Sequence, residues 1–124
     1  MRFKLTWSKP RKFEERNFDL RVGGVYLIGY RDPGENTRYI VWLGQGDVGS
    51  WLADHYRNNS YIKRRLNQVG RVGYYRYAEV EEVDDRLDIE LGLYHNHGGS
   101  SFCNEIEPAG SGRYTKVEVE EVFP

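Results

Sequence analysis

Residues 24–46, Gly-Val-Tyr-Leu-Ile-Gly-Tyr-Arg-Asp-Pro-Gly-Glu-Asn-Thr-Arg-Tyr-Ile-Val-Trp-Leu-Gly-Gln-Gly, decide the fold. Val25 to Tyr30 and Tyr39 to Leu43 are rich in β-branched and aromatic side chains, and Asp32-Pro33-Gly34-Glu35-Asn36 between them carries turn chemistry. The stretch therefore predicts an antiparallel hairpin. It ends in Gly44-Gln45-Gly46, which a strand interior does not favour and which lacks the Gly-Lys-Ser/Thr ending of a phosphate loop. Backbone room between a strand and a following helix is the simpler reading.

Outward from the hairpin, Asp47 is placed to cap a helix carrying Trp51, Leu52, His55 and Tyr56 at three- and four-residue spacing. Asn58-Asn59-Ser60 breaks that pattern, and Tyr61, Ile62, Leu66 and Val69 predict a second short helix ending at Gly70. Val72 to Val80 alternates as a third strand, and Glu81 to Tyr94 as a further helix. Before the hairpin, Phe3, Leu5 and Trp7 suggest a short strand that Pro10 interrupts. After a tail from His95 to Gly112 rich in glycine, serine and asparagine, Tyr114 to Val122 suggests a last strand at a sheet edge. The expectation is one α+β domain with a small, mainly antiparallel three-stranded sheet flanked by helices, plus extra N- and C-terminal strands.

The chain has 124 residues, enough for one core and too few for two. No apolar run approaches the length needed to cross a bilayer, the first residues are too charged for a signal peptide, and the single Cys103 cannot form an internal disulfide. These features predict a cytoplasmic protein without a membrane partner. The formal net charge is only -1, but the charges are segregated. Arginines and lysines load the first 21 residues and the 57–76 stretch, including Arg57, Lys63, Arg64 and Arg65, while acids gather at 79–88 and 118–121. Such segregation fits a basic face as well as ordinary surface scatter. Tyr74, Tyr75 and Tyr77 among Arg71 and Arg76 could stack on bases from at most one strand face, and core packing is the expected role of Tyr74 or of the Tyr75 and Tyr77 pair, whichever faces inward.

Glu90 is the residue that does not fit its surroundings. Val83, Leu87, Leu91 and Tyr94 define the expected core stripe of the last helix, and Glu90 borders it, whereas Asp84, Asp85 and Asp88 are expected to face water. A carboxylate there either snorkels to solvent or meets an arginine, or serves as a metal ligand or general base. His95 and His97, two apart in a glycine-rich loop, have a poor zinc spacing, and Cys103 has no partner in the sequence.

Gly24-Val25-Tyr26, Trp42-Leu43-Gly44-Gln45 at the end of the next strand, a helix with Leu52 and His55, Glu90 on a later helix and Asn104 beyond it together resemble the GIY-YIG nuclease superfamily, over roughly residues 23–108. The resemblance implies a three-stranded antiparallel sheet flanked by helices and a DNA endonuclease using one divalent metal, Mg²⁺ or Mn²⁺. Glu90 would bind the metal and Tyr26 would orient or deprotonate water. Trp42, His55 and Asn104 would complete the site, and Arg38, Arg57, Lys63, Arg64 and Arg65 are the expected DNA contacts. No nucleotide cofactor is implied.

Two positions depart from the pattern. Trp42 stands where the family has its second tyrosine, and Trp51 where it has an arginine; neither can take a proton or offer a guanidinium fork. Arg57 and Arg38 are the residues that could replace the missing arginine from elsewhere. The departures suit a second expectation, a module of the same fold that binds DNA or a protein without cutting. A third expectation sets the resemblance aside for a small ligand-binding or interaction domain.

Overall fold

The structure, a computed structural model, describes residues 1–97 and 107–124. Its strands are β1 (Arg2–Thr6), β2 (Arg11–Lys12), β3 (Gly23–Arg31), β4 (Arg38–Asp47), β5 (Val72–Glu79) and β6 (Glu118–Val122). The helices are α1 (Val48–Asn58), α2 (Ser60–Leu66) and α3 (Val83–Asn96), and Glu15–Asn17 forms a single 3-10 turn.

The fold is α+β, as expected. β3 lies at the centre of an antiparallel four-stranded sheet of order β2-β5-β3-β4, and its run from Val25 to Ile28 is buried on both faces. Continuous apolar character is what a strand covered on both sides requires. The hairpin pairs Tyr26 with Gly44 and Tyr30 with Tyr39, with a bulge where Ile28 faces Trp42 and Gly29 faces Ile40, so that Val41 is the extra residue. Val41 and Trp42 consequently pack on the same side, although they are adjacent in sequence.

Each face of the sheet has its own cover. Tyr26, Ile28, Tyr75 and Val41 pack against Val48 and Leu52 of α1, Ile62 of α2, and Phe13 and Phe18 of the chain between β2 and β3. On the opposite face Val25, Leu27, Leu43, Tyr74 and Ala78 pack against Ile89 and Leu93 of α3 and against Leu5, Trp7 and Val119. Leu5 and Val119 belong to a separate parallel pair, β1 with β6, in register from Arg2 opposite Glu118 to Thr6 opposite Val122, and Trp7 follows β1 directly. The C-terminal strand therefore does not join the main sheet. It is also shorter than expected, because the paired run begins only at Glu118.

Two helical expectations need correction. Val69 is 99% exposed and α2 stops at Leu66, where three basic residues occupy its last turn. On α3 the inward stripe is Ile89, Gly92 and Leu93; Val83 is exposed, and Leu87 and Leu91 are only half-buried. The helix is rotated relative to the expected stripe because Gly92 sits against β6, where a Cβ would come within 2.4 Å of a Val119 methyl. This rotation also overturns the expectation for Asp88. It is 1% exposed and accepts hydrogen bonds from the Ser111 amide at 2.8 Å, the Ser111 hydroxyl and Arg113 at 2.6 Å. Burial alone would raise the Asp88 pKa, but the Ser111 and Arg113 bonds outweigh it and hold the carboxyl below its ordinary range.

Asp88 thus fastens the chain after residue 107 to α3. Asp88→Ala removes a charged acceptor and leaves the Ser111 amide without its partner, which costs on the order of 2 kcal/mol of folding stability in urea titrations at pH 7. Because a depressed carboxyl stabilises above its unfolded pKa and loses that contribution as pH falls, Asp88→Asn narrows its deficit to wild type in acid.

Candidate functional site

Gly44 and Gly46 are explained by two aromatic rings, those of Tyr26 and Trp51. Tyr26 leaves β3 on the α1 side and leans across the edge strand β4, so that a Cβ on Gly44 would lie 2.3 Å from its hydroxyl. Gly46 has φ of +129° and a Cβ there would meet the Trp51 indole nitrogen at 2.8 Å, so a side chain is excluded twice over. The two glycines clear the path by which Tyr26 and Trp51 approach the same place. Asp47 then starts α1, its carboxylate accepting from the Ser50 amide.

α1 carries His55 inward, 5% exposed, and the Tyr26 hydroxyl lies 2.8 Å from its Nε2. The tautomer follows from Asn59. Its Oδ1 caps α2 by accepting from the Ile62 amide at 3.1 Å, which turns its Nδ2 toward His55 Nδ1 at 2.9 Å. An amide nitrogen donates, so Nδ1 accepts, and the imidazole proton is on Nε2 and points at the tyrosine oxygen. Burial lowers the His55 pKa, with Asp54 opposing, so the ring is neutral at pH 7. Asn59 is the site residue that the sequence reading missed. Its signal was present in the Asn-Asn-Ser break one turn after His55, which was read only as a helix boundary.

Aromatic rings enclose this imidazole. The Trp42 centroid is 5.0 Å away at 55°, and Trp51 stacks on it at 5.7 Å and 29°. Trp42 also donates a hydrogen bond that lowers the Tyr26 pKa. The larger influences raise that pKa: burial first, then the negative charge of Glu90. The Tyr26 oxygen therefore accepts from two N–H groups and keeps its own proton at neutral pH.

Glu90 reaches this place from α3, which packs along β4 and β3 on the other face of the sheet. It is half-buried, and among the described residues it makes no hydrogen bond or ion pair. Burial raises its pKa from 4.5 to about 7. It neither snorkels fully to water nor meets an arginine. An unpaired, partly dehydrated carboxylate fits a hard divalent cation, which takes one or two carboxylates and completes its shell with water. No group of three or more His, Cys, Asp or Glu side chains suited to a metal occurs among the described residues.

Tyr26, Trp42, His55 and Glu90 are thus brought to one end of the hairpin, while Asn104 lies outside the described residues. The expected DNA contacts are scattered. Arg57 pairs with Glu15 at 3.0 Å, Lys63 donates to the Arg57 carbonyl, and Arg64 is exposed. Arg65 lies 5.8 Å over the Tyr61 ring, and Arg38 lies 5.7 Å over Tyr74. Arg57 makes an exposed ion pair with Glu15, and Arg38 lies six residues down β4 from Gly44, about 20 Å away along the strand. Compared with family models, curated proteins and solved structures, the chain matches none.

Two expected outcomes test this geometry. Gly44→Ala forces the Tyr26 ring off its path and costs about 1–3 kcal/mol in thermal or urea unfolding, as overpacking does in rigid surroundings. Glu90 gives up its proton near pH 7 when folded and near 4.5 when unfolded, so folding stability falls as pH rises through that window. In a chelator, Glu90→Gln melts with wild type at pH 4.5 and above it at pH 8. Equal midpoints at both pH values would rule out the dehydrated carboxylate.

Proposed function

We propose that the chain is a divergent GIY-YIG-like endonuclease that hydrolyses DNA phosphodiester bonds with one Mg²⁺ or Mn²⁺ held by Glu90. The observation that carries this reading is the convergence on the Tyr26 hydroxyl of His55, Trp42 and the charge of an otherwise unpaired Glu90. A divalent ion on Glu90 would supply positive charge to the scissile phosphate and to the water that attacks it. The residues of the chain divide the remaining work. Neutral His55 and the Trp42 indole present N–H groups to the Tyr26 oxygen, which fixes the phenol and leaves its O–H free to orient water or a phosphate oxygen. The same two donors favour the phenolate once the charge of Glu90 is neutralised. Asn59 keeps His55 in the tautomer that this arrangement needs.

A specific observation favours a second reading, a non-cutting DNA- or protein-binding module of the same fold. Trp51, which stands where the resemblance places an arginine, stacks on His55, while Arg57 is paired with Glu15 and Arg38 lies over Tyr74. A preorganised charge donor is worth about 100- to 1000-fold in rate, so the site without one is slow or silent.

The deciding experiment incubates the chain with supercoiled, linear and branched DNA in Mg²⁺ or Mn²⁺, alongside Glu90→Ala and Trp51→Arg. The endonuclease reading expects slow, metal-dependent nicking that Glu90→Ala abolishes and Trp51→Arg accelerates by about 100-fold. Mg²⁺ should also raise the melting midpoint of wild type and not of Glu90→Ala. If neither wild type nor Trp51→Arg cuts while DNA binding falls steeply with salt, the binding module is the correct reading.

A further inference from the structure

A second hollow lies at the other end of the sheet. It holds about 520 Å³ and is lined by Arg38, Tyr39, Tyr74, Arg76 and Phe123, with Arg65 on its rim. That volume is in the range of small-molecule sites, roughly 300–1000 Å³. Tyr30 and Tyr39, where it begins, pair four residues along β3 from Tyr26, about 13 Å from the Glu90 site.

The charges in this hollow are unbalanced. Arg76 is only 6% exposed, and its two hydrogen bonds, at 3.2 and 3.3 Å, run from one nitrogen to the carbonyls of Ser8 and Pro124. Buried arginines are normally paired with a carboxylate. Among the described residues no Asp or Glu side chain pairs with Arg76, Arg38 or Arg65; Arg76 meets only main-chain oxygens, that of Ser8 and that of Pro124, the last residue of the sequence. The nearby acids are engaged: Glu35 accepts from the Tyr39 hydroxyl at 3.1 Å, while Glu121 takes the Trp7 indole at 3.0 Å and contacts His97 at 2.9 Å. Burial lowers the Arg76 pKa, Tyr74 partly offsets this, and the like charge of Arg38 adds to it. Guanidinium forks of this kind match phosphate oxygens in pairs.

The walls supply the other half of the recognition. Tyr39 is 39% and Phe123 48% exposed, and Phe123 lies 5.2 Å from the Arg76 guanidinium. Phe123 is already covered by Trp7, stacked at 6.3 Å, and by Arg76, whereas Tyr39 stacks on Tyr30 with one face and offers the other to a planar group.

We propose that this hollow binds a small phosphate monoester bearing a planar ring, of the nucleoside monophosphate class, with its phosphate between Arg38 and Arg76 and its ring against Tyr39. The binding needs no phosphate loop, because side-chain forks replace backbone amides. It is also independent of the Glu90 site.

Calorimetric titration of the full chain at low salt tests this with adenosine monophosphate, adenosine, and a short single strand with and without a 5′-phosphate. Adenosine monophosphate should bind at least tenfold more tightly than adenosine, and Arg38→Gln, an exposed change that leaves the core intact, should weaken it roughly tenfold or more. Glu90→Ala should leave the affinity unchanged, whatever becomes of cleavage. The proposal is overturned if the two small ligands bind alike or not at all, or if Arg38→Gln has no effect. It also fails if the 5′-phosphorylated strand binds where adenosine monophosphate does not, which would assign the hollow to strand ends.

Discussion

The passage of the Tyr26 ring over Gly44 is the constraint on which the site depends. A phenol rooted on the central strand reaches the sheet's open edge only because the neighbouring strand has no side chain at the crossing point. Everything else is arranged around where that hydroxyl arrives. His55 comes down from α1 to meet it, Asn59 at the start of α2 fixes the imidazole, and Glu90 approaches from the opposite face. The same Asn59 side chain caps one helix and sets the tautomer of a residue on another, so α1, α2 and the sheet cannot shift independently without breaking a hydrogen bond.

Two opposing effects set the electrostatics of this cluster. Burial disfavours charge on both Tyr26 and Glu90, and the charge of Glu90 makes Tyr26 harder still to ionise. Two N–H donors on the phenol oxygen work in the contrary direction. The balance leaves three neutral or nearly neutral groups, Tyr26, His55 and a Glu90 poised near pH 7, which is an arrangement that a single added positive charge would reorganise.

Much of the fold was legible because it rests on local pattern. The hairpin shows β-branched runs flanking a turn, and the caps at Asp47 and Asn59 are residues whose side chains accept from backbone amides. The proximity of Tyr26, Trp42 and His55 follows from the hairpin register and one helical turn. What the sequence hid depends on contacts far apart in the chain. Ile89, Gly92 and Leu93, rather than Leu87 and Leu91, face inward because Gly92 admits β6, and nothing within α3 reveals where β6 lies. Asp88 looked like one of a run of solvated acids, and only Ser111 and Arg113, more than 20 residues away, make its burial tolerable. Arg76 was read as part of a basic strand face; β1, β6 and the residues following them cover it.

The extra residue at Val41 puts the two ends of β4 out of phase. Above it, Trp42 points to the α1 side. Below it, Arg38 points to the opposite side, over Tyr74, where strict alternation would have turned it the other way. Losing the extra residue would restore strict alternation with three steps from Arg38 to Trp42 and keep them on opposite faces, whereas losing a different residue of this segment while the bulge persists would swing Trp42 or Arg38 through the sheet. Length variation in this strand is therefore tied to the bulge: the extra residue can be lost without consequence for either facing, while a one-residue loss that leaves the bulge in place disconnects the hollow from its arginine or the imidazole from its indole.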